Sequence, residues 1–319
     1  MALNSKYAIG IDIGGTTTKL ALVNSAGDIA NIITLNTEGH TESDAYIKSL
    51  VNETEQLVED AIASGLTLLG IGISVAGFID PEHTKMIFNP NIPALEDYPL
   101  TPRFEQYFEL PVSLEVDSNS ATLGEYRFGA GRGSHRFMCL TIGTGVGGGM
   151  IIDGRLLRFA HECMGDMGHV IVEPGGPACS VGCRGCAEAM VSAPSIVRSA
   201  EQGSTDQRDS LLQKLLNERG NLDAKSIIES AKQGDAYAVS ILKETGRWLG
   251  LALASLAPIF LPDCIAIAGG VSEADDLLLD PTILAFNDTS GEFYHQNVAV
   301  KKAELGWKAT ALGAAVPFF

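Results

Sequence analysis

Two glycine- and threonine-rich segments stand directly after apolar runs. Gly14-Gly15-Thr16-Thr17-Thr18-Lys19 follows Tyr7 to Ile13, and Gly143-Thr144-Gly145-Val146-Gly147-Gly148-Gly149 follows Phe137 to Ile142. A glycine-rich turn at the end of a buried strand brings backbone N–H groups up to an anionic oxygen with no Cβ in the way, and threonine hydroxyls add donors. Phosphate is the ligand such turns suit. Neither turn is a Walker A loop, because the Gly-Lys-Ser/Thr ending is missing, and neither is a Gly-x-Gly-x-x-Gly turn that opens a helix. Asp12 ends the first apolar run, where a carboxylate can hold a hydrated Mg²⁺ beside a nucleotide phosphate. One such turn reads equally well as a plain tight hairpin; the pair favours phosphate.

A third chemical group is Asp117, in Glu115-Val116-Asp117-Ser118-Asn119. A hydroxyl is a poor nucleophile, and a carboxylate within hydrogen-bond reach can orient it and take its proton while a γ-phosphoryl group is displaced in line. Asp before Ser and Asn is also ordinary N-cap chemistry. The fourth group is a set of soft ligands: His169, Cys179, Cys183 and Cys186 fit a tetrahedral Cys₃His site for structural Zn²⁺. Six cysteines are few for 319 residues, and three crowd together, which favours a metal over disulfides. Cys139 and Cys264 fall in apolar strands and read as core. His40, His83, His135 and His295 fall in polar stretches and read as surface positions.

These groups need strands and helices to hold them. Tyr7–Ile13, Leu20–Val23 and Ile29–Leu35, with a turn at Ser25–Asp28, form a β-meander. A helix is predicted over Glu53–Ala63, a strand over Leu69–Val75, a short helix over Phe104–Phe108, a strand over Val112–Val116 and a helix over Ser120–Phe128. Phe137–Ile142 and Met150–Ile152, with a hairpin at Asp153-Gly154, repeat the opening pattern. Helical segments follow near Ala187–Gln202, Asp209–Glu218, Ala224–Gln233 and Ala236–Pro258, before a strand at Cys264–Ala268 that ends in Gly269-Gly270. The repetition implies two related α/β halves, each presenting its glycine turn to a shared cleft.

Composition narrows the function classes. Hydrophobic residues make up 45% and charged residues 19%, the balance of a folded globular chain. Length favours two domains. The net charge of -17 would repel a phosphate backbone, so nucleic acid is not an expected partner. The most apolar run, Leu249 to Leu261, is broken by Pro258 and falls short of the ~20 apolar residues of a bilayer span. The first residues lack the order of a secretory signal, so the expected location is the cytoplasm.

At Asp12–Lys19, Gly143–Gly149 and Ala268-Gly269-Gly270-Val271-Ser272 the chain resembles the repressor, open-reading-frame and kinase (ROK) family of sugar kinases. That family belongs to the actin, hexokinase and Hsp70 class, a two-domain ribonuclease H-like α/β fold with an interdomain cleft. The resemblance extends to Ile73-Ser74-Val75-Ala76-Gly77, Asn89-Pro90-Asn91 and the closing Ala311-Leu312-Gly313-Ala314-Ala315. It implies a phosphate site at Asp12, Gly14, Gly15, Thr16, Thr17, Lys19, Gly143, Thr144, Gly145 and Gly147. Gly269 and Gly270 would form the adenosine turn, and Asp117 would be the general base. Sugar contacts are implied at Asn91, Val116, Asp166, His169 and Glu188. Glu188 also reads as an acid whose charge favours the N-terminus of the following helix. Three positions depart from the family pattern. Val116 replaces the Asn before the base, Asp166 replaces a Glu, and Val181 replaces a cysteine, with Cys183 supplied two residues later.

The domains expected are 1–118, completed by a C-terminal helix at about 301–319, and a larger domain at 119–300 carrying the zinc loop. The expected activity is phosphorylation of a hexose, an N-acetyl hexosamine or a related sugar or polyol by ATP with Mg²⁺, in a homodimer. The rival within the family is a non-catalytic sugar-binding regulator. Such repressors carry a helix-turn-helix ahead of the first turn, whereas here only Met1 to Ile11 precede Asp12. An Hsp70-like ATPase acting on protein is disfavoured by the compact length and the His169–Glu188 block.

Overall fold

A computed structural model describes residues 6–37, 43–88, 92–158, 166–203 and 210–319. The first elements in chain order are β1 (Lys6–Ile13), β2 (Thr17–Asn24), β3 (Ile29–Asn36), α1 (Ser43–Ala63), β4 (Thr67–Val75), β5 (Phe78–Ile79), β6 (Met86–Phe88), α2 (Leu100–Phe108), β7 (Val112–Val116) and α3 (Asp117–Phe128). The chain continues through β8 (Arg136–Ile142), β9 (Val146–Ile152), β10 (Arg155–Leu156), α4 (Ala187–Val191), α5 (Ala193–Gly203), α6 (Leu211–Arg219), α7 (Ala224–Lys232) and α8 (Ala236–Phe260). It closes with β11 (Cys264–Ala268), α9 (Asp276–Thr289), α10 (Glu292–Asn297), β12 (Ala299–Lys302) and α11 (Ala309–Ala315). Two five-stranded sheets have the same build, ordered β3-β2-β1-β4-β7 and β10-β9-β8-β11-β12. In each, an antiparallel hairpin carrying the glycine turn leads into parallel strands.

The chain divides into two compact units. The first comprises Met1–Gly133, Arg155–Met164 and Leu305–Phe319. One face of its sheet buries Ile9, Ile11, Ile71 and Ile73 against Tyr46, Leu50 and Leu57 of α1 and Phe104 of α2. Tyr46 and Leu50 lie in the first half of α1, so that helix begins ten residues before the stretch its sequence periodicity marks. The other face packs Ala8, Ala21 and Val23 on Ala311, Leu312 and Ala315 of α11. Here a close approach requires glycine: a Cβ on Gly10 or Gly72 would strike the carbonyl oxygen of Ala311 or Ala314. Gly124 of α3 and Gly313 of α11 likewise meet the backbone of the other helix. That contact puts α3 in the first unit, which therefore runs past residue 118 to Gly133.

The second unit comprises Ser134–Gly154 and Gly165–Glu304. β12 pairs in parallel with β11, Cys264 opposite Ala299, which keeps residues 299–302 in the second sheet. The C-terminal return to the first unit accordingly starts at Leu305 and not at 301. The stretch predicted as one helix over Ala187–Gln202 is two helices, α4 and α5, separated at Ser192, whose backbone is extended. No helix among the described residues is long and apolar enough to cross a membrane.

Candidate functional site

In the first unit the sheet register sets the chemistry. Asp12 of β1 pairs with Ser74 of β4, and Ser74 with Glu115 of β7; Ile13, Val75 and Val116 form the next row. Asp117 follows Val116 and opens α3, so Asp12 and Asp117 stand at the carboxyl ends of strands in one sheet. Asp117 accepts a hydrogen bond from the Ser118 amide at 2.7 Å, the local geometry expected of an acid opening a helix. Burial nevertheless holds its carboxyl above the usual carboxylate range. Asp12 is pushed up to about 7, first by burial and then by the charge of Asp117, with Lys19 pulling the other way. Lys19 lies opposite Asp12 in the hairpin, and its ammonium sits 5.0 Å from the centre of the Trp307 ring.

The turn between β1 and β2 is closed by the Gly14 amide, which donates to the Thr17 carbonyl at 3.1 Å. Thr16 and Thr17 are exposed at its tip. Thr18 instead turns inward and is fully buried, bonded to the Tyr46 hydroxyl at 2.6 Å and to Thr37 at 2.8 Å. Burial raises the Tyr46 phenol to about 12, so it stays protonated and can donate to that network.

One charged group beside Asp117 was not legible beforehand. Glu115 is buried and accepts from the Asn119 amide at 3.0 Å and from Arg158 at 2.7 Å. Arg158 also meets His83 at 3.2 Å, and the other His83 nitrogen meets the Leu114 carbonyl at 2.8 Å. His83 is therefore half-buried and bonded, contrary to its polar sequence context. Glu115 lies in β7 and Asn119 in the first turn of α3, so no single periodicity marked the pair, and Arg158 gave no sign either.

In the second unit Gly143 and Gly145 are half-buried and Thr144 is exposed, with the Gly143 amide donating to the Gly145 carbonyl at 2.9 Å. The amide of Ala193, at the start of α5, donates to the Gly143 carbonyl at 2.8 Å and anchors the turn. Gly147 lies opposite Thr141 in the hairpin. β11 runs beside β8, so Gly269 packs against the backbone of Ile142, and Gly270 starts the short 3-10 turn Gly270–Ala274. Gly269 needs its positive φ of 88° and has no room for a Cβ.

Glu188 is buried in α4 and both its oxygens are taken within the protein. Oε2 accepts from the Val146 amide at 3.1 Å, while Oε1 accepts from the Ser180 amide at 3.2 Å and the Ser180 hydroxyl at 2.5 Å. The soft ligands come together as the spacing implies. Donor atoms of His169, Cys179 and Cys183 lie within 4.8 Å of one another, and the His169 Nδ1 is 3.7 Å from both the Cys179 and the Cys186 sulfur. The path that delivers Cys183 is a tight turn in which the Cys179 amide donates to the Cys183 carbonyl at 2.8 Å and Gly182 has φ 91°. Asp166 begins the 3-10 turn that ends at His169. Asn91 lies outside the described residues.

Residues 8–318 match the ROK family. A glucokinase of Halalkalibacterium halodurans is 35% identical over 280 residues, 88% of this chain and 84% of that protein. A ROK family glucokinase from Streptomyces griseus, solved with glucose and AMPPNP, superposes with a TM-score of 0.80 at 35% identity, covering 97% of this chain and 98% of the other. The xylose repressor of Bacillus subtilis is 28% identical over 96% of this chain and 75% of its own length.

Proposed function

The chain belongs to the ROK family and is a sugar kinase, and from that premise we propose that it transfers the γ-phosphoryl group of ATP to a hydroxyl of a hexose, an N-acetyl hexosamine or a related sugar or polyol, with Asp117 as general base. The observation that carries the reading is the pair Asp12 and Asp117, two carboxyls at the carboxyl ends of β1 and β7, the strands that flank β4 in one sheet, both held above the usual carboxylate range. A base poised toward neutrality takes a proton more effectively than an ordinary exposed Asp. Asp117 orients the sugar hydroxyl and accepts its proton as the phosphoryl group moves. Within each unit the glycine turn, Gly14–Thr17 or Gly143–Gly145, offers the kind of amides and hydroxyls that suit a phosphate, and Gly269-Gly270 would form the adenosine turn.

Asp12 fits a divalent cation, because its buried carboxyl has Lys19 as its compensating charge and Asp117 as a competing one. Mg²⁺ held there with the nucleotide would supply neutralisation of phosphate charge. The three thiols and one imidazole fit structural Zn²⁺. Burial raises the Cys186 thiol to about 11, with Cys179 and Cys183 adding to the rise, so a cation is what would draw these protons off. The expected result is one equivalent of zinc per chain in protein purified without added metal. Cys183→Ser should lose most of it, and zinc that survives this change would show that Cys183 is no ligand.

Val116 is nearly buried at the row before Asp117 and offers only apolar surface. Glucose, which presents a hydroxyl wherever an epimer or deoxy sugar does not, then leaves one unpaired, at ~1 to 3 kcal/mol. Wild type should therefore prefer an epimer, a deoxy or substituted sugar, or a cyclitol, and Val116→Asn should gain ~10-fold in kcat/KM on glucose. Comparing kcat/KM over a panel of hexoses, N-acetyl hexosamines and cyclic polyols tests both the kinase and its preference. Glucose ranking first in wild type with no gain in the Asn variant would overturn the specificity argument. Binding without turnover for every sugar would favour the regulatory reading that the xylose repressor represents.

A further inference from the structure

We propose that Ser180 and Glu188 form a positioning strut that locks the second phosphate turn to the cysteine cluster, so that nucleotide affinity depends on whether the cluster holds its metal. The role rests on the kinase reading above and is additional to the sugar contact that the family resemblance implies for Glu188.

Three contacts converge on Val146, the residue that leaves the turn Gly143–Gly145 and starts β9. Its amide donates to Glu188 Oε2 at 3.1 Å. The preceding Gly145 lies so close to that same oxygen that a Cβ there would sit 2.8 Å from it. On the other side Gly168, the neighbour of His169, packs against the Val146 carbonyl with no room for a Cβ. The second oxygen of Glu188 is held by the amide and hydroxyl of Ser180, next to Cys179. Val146 is thus tied to the cluster twice, through Gly168-His169 and through Glu188-Ser180.

The physical consequence follows from the carboxylate. A buried Glu with one oxygen unpartnered would swing toward a new donor, whereas two bonds from Ser180 hold it rigid and aim Oε2 at the Val146 amide. A metal that gathers His169, Cys179, Cys183 and Cys186 fixes both anchors at once. Amides of the Gly143–Gly145 turn are then pre-aimed at phosphate, which raises affinity by removing the cost of ordering on binding. Without the metal both anchors loosen, and the turn loses its aim while its sequence is intact.

Ser180 is exposed, so its truncation leaves the core untouched. The experiment follows Val146 amide hydrogen exchange in the free protein, together with ADP affinity and sugar KM, for wild type, Ser180→Ala and Ser180→Thr. Ser180→Ala should speed Val146 exchange by about tenfold and weaken ADP by about fivefold, with sugar KM within about twofold, the size expected for one charge-assisted hydrogen bond. Ser180→Thr keeps the hydroxyl and should restore both values. Stripping the metal from wild type with a chelator should speed Val146 exchange in the same way, and by less in Ser180→Ala, where the Glu188 link is already weakened to the Ser180 amide alone. Unchanged Val146 exchange in Ser180→Ala overturns the strut, as does a rise in sugar KM with ADP affinity intact. Altered exchange in a protein that binds no ADP even as wild type would uphold the strut and sink the kinase reading instead.

Discussion

Replacing Asp117 by Asn should lower sugar phosphorylation by ~10² to 10⁴-fold while ADP affinity and the thermal transition stay close to wild type, the range for loss of a general base. The amide is nearly isosteric, and its oxygen can still accept from the Ser118 amide, so the start of α3 survives. What disappears is the proton acceptor. Because burial holds the Asp117 carboxyl high, wild-type kcat should climb with pH through that group's titration, and the variant's residual rate should lose this acid limb. A variant keeping more than about a third of wild-type turnover would remove Asp117 from the role of base. A fall in ADP affinity of the same size as the fall in rate would place its contribution in binding.

Asp12→Asn should act on stability and activity in opposite directions. Burial and the charge of Asp117 push Asp12 up to about 7, against 3.8 for the free side chain, so the folded state holds this proton more tightly than the unfolded chain does. Folding is therefore favoured most below 3.8, and that contribution drains away as pH rises toward about 7. Each tenfold in proton affinity is worth about 1.4 kcal/mol, which bounds the loss at about 4 kcal/mol; partial exposure of Asp12 brings it nearer ~1 to 2 kcal/mol. Asn carries no charge to bury. The variant should exceed wild type in stability above about pH 7 and converge with it toward 3.8, as denaturant melts at a series of pH values would record. Turnover should fall by ~10- to 100-fold, because the group that would hold Mg²⁺ is gone. Equal pH dependence in the two proteins would mean that Asp12 is not the buried acid described.

Much of the fold was legible because glycine-rich turns stand directly after the apolar runs that form buried strands. The two strand–turn–strand copies, the strand ends at Ile13, Val116 and Ile142, and the strand Cys264–Ala268 all stand as the apolar runs imply. The domain limits were less legible. α3 joins the first unit through Gly124 and Gly313, small residues that leave no amphipathic signature, and β12 is a short half-exposed edge strand whose sequence lacks a clear apolar alternation.

The site divides in the same way. Cysteine and histidine spacing is local, so the cluster could be read from the chain. Contacts between residues far apart in sequence could not: Glu188 reaches Val146 and Arg158 reaches Glu115 only after the sheets form. Of the threonine run, Thr16 and Thr17 are exposed at the tip of the turn, whereas Thr18 is spent on Tyr46, an assignment set by strand alternation relative to the core.

If Asp117 activates a sugar hydroxyl toward ATP, the phosphoryl group must pass to the sugar at a rate that depends on this carboxylate. Phosphorus NMR of wild type and Asp117→Asn, each incubated with Mg²⁺, ATP and the sugar panel, follows the transferred group itself. A new sugar phosphate resonance should grow in step with ADP for at least one sugar in wild type, at a rate ~10² to 10⁴-fold lower in the variant. ADP and inorganic phosphate appearing with no sugar phosphate, or equal sugar phosphate formation in both proteins, would contradict this role of Asp117.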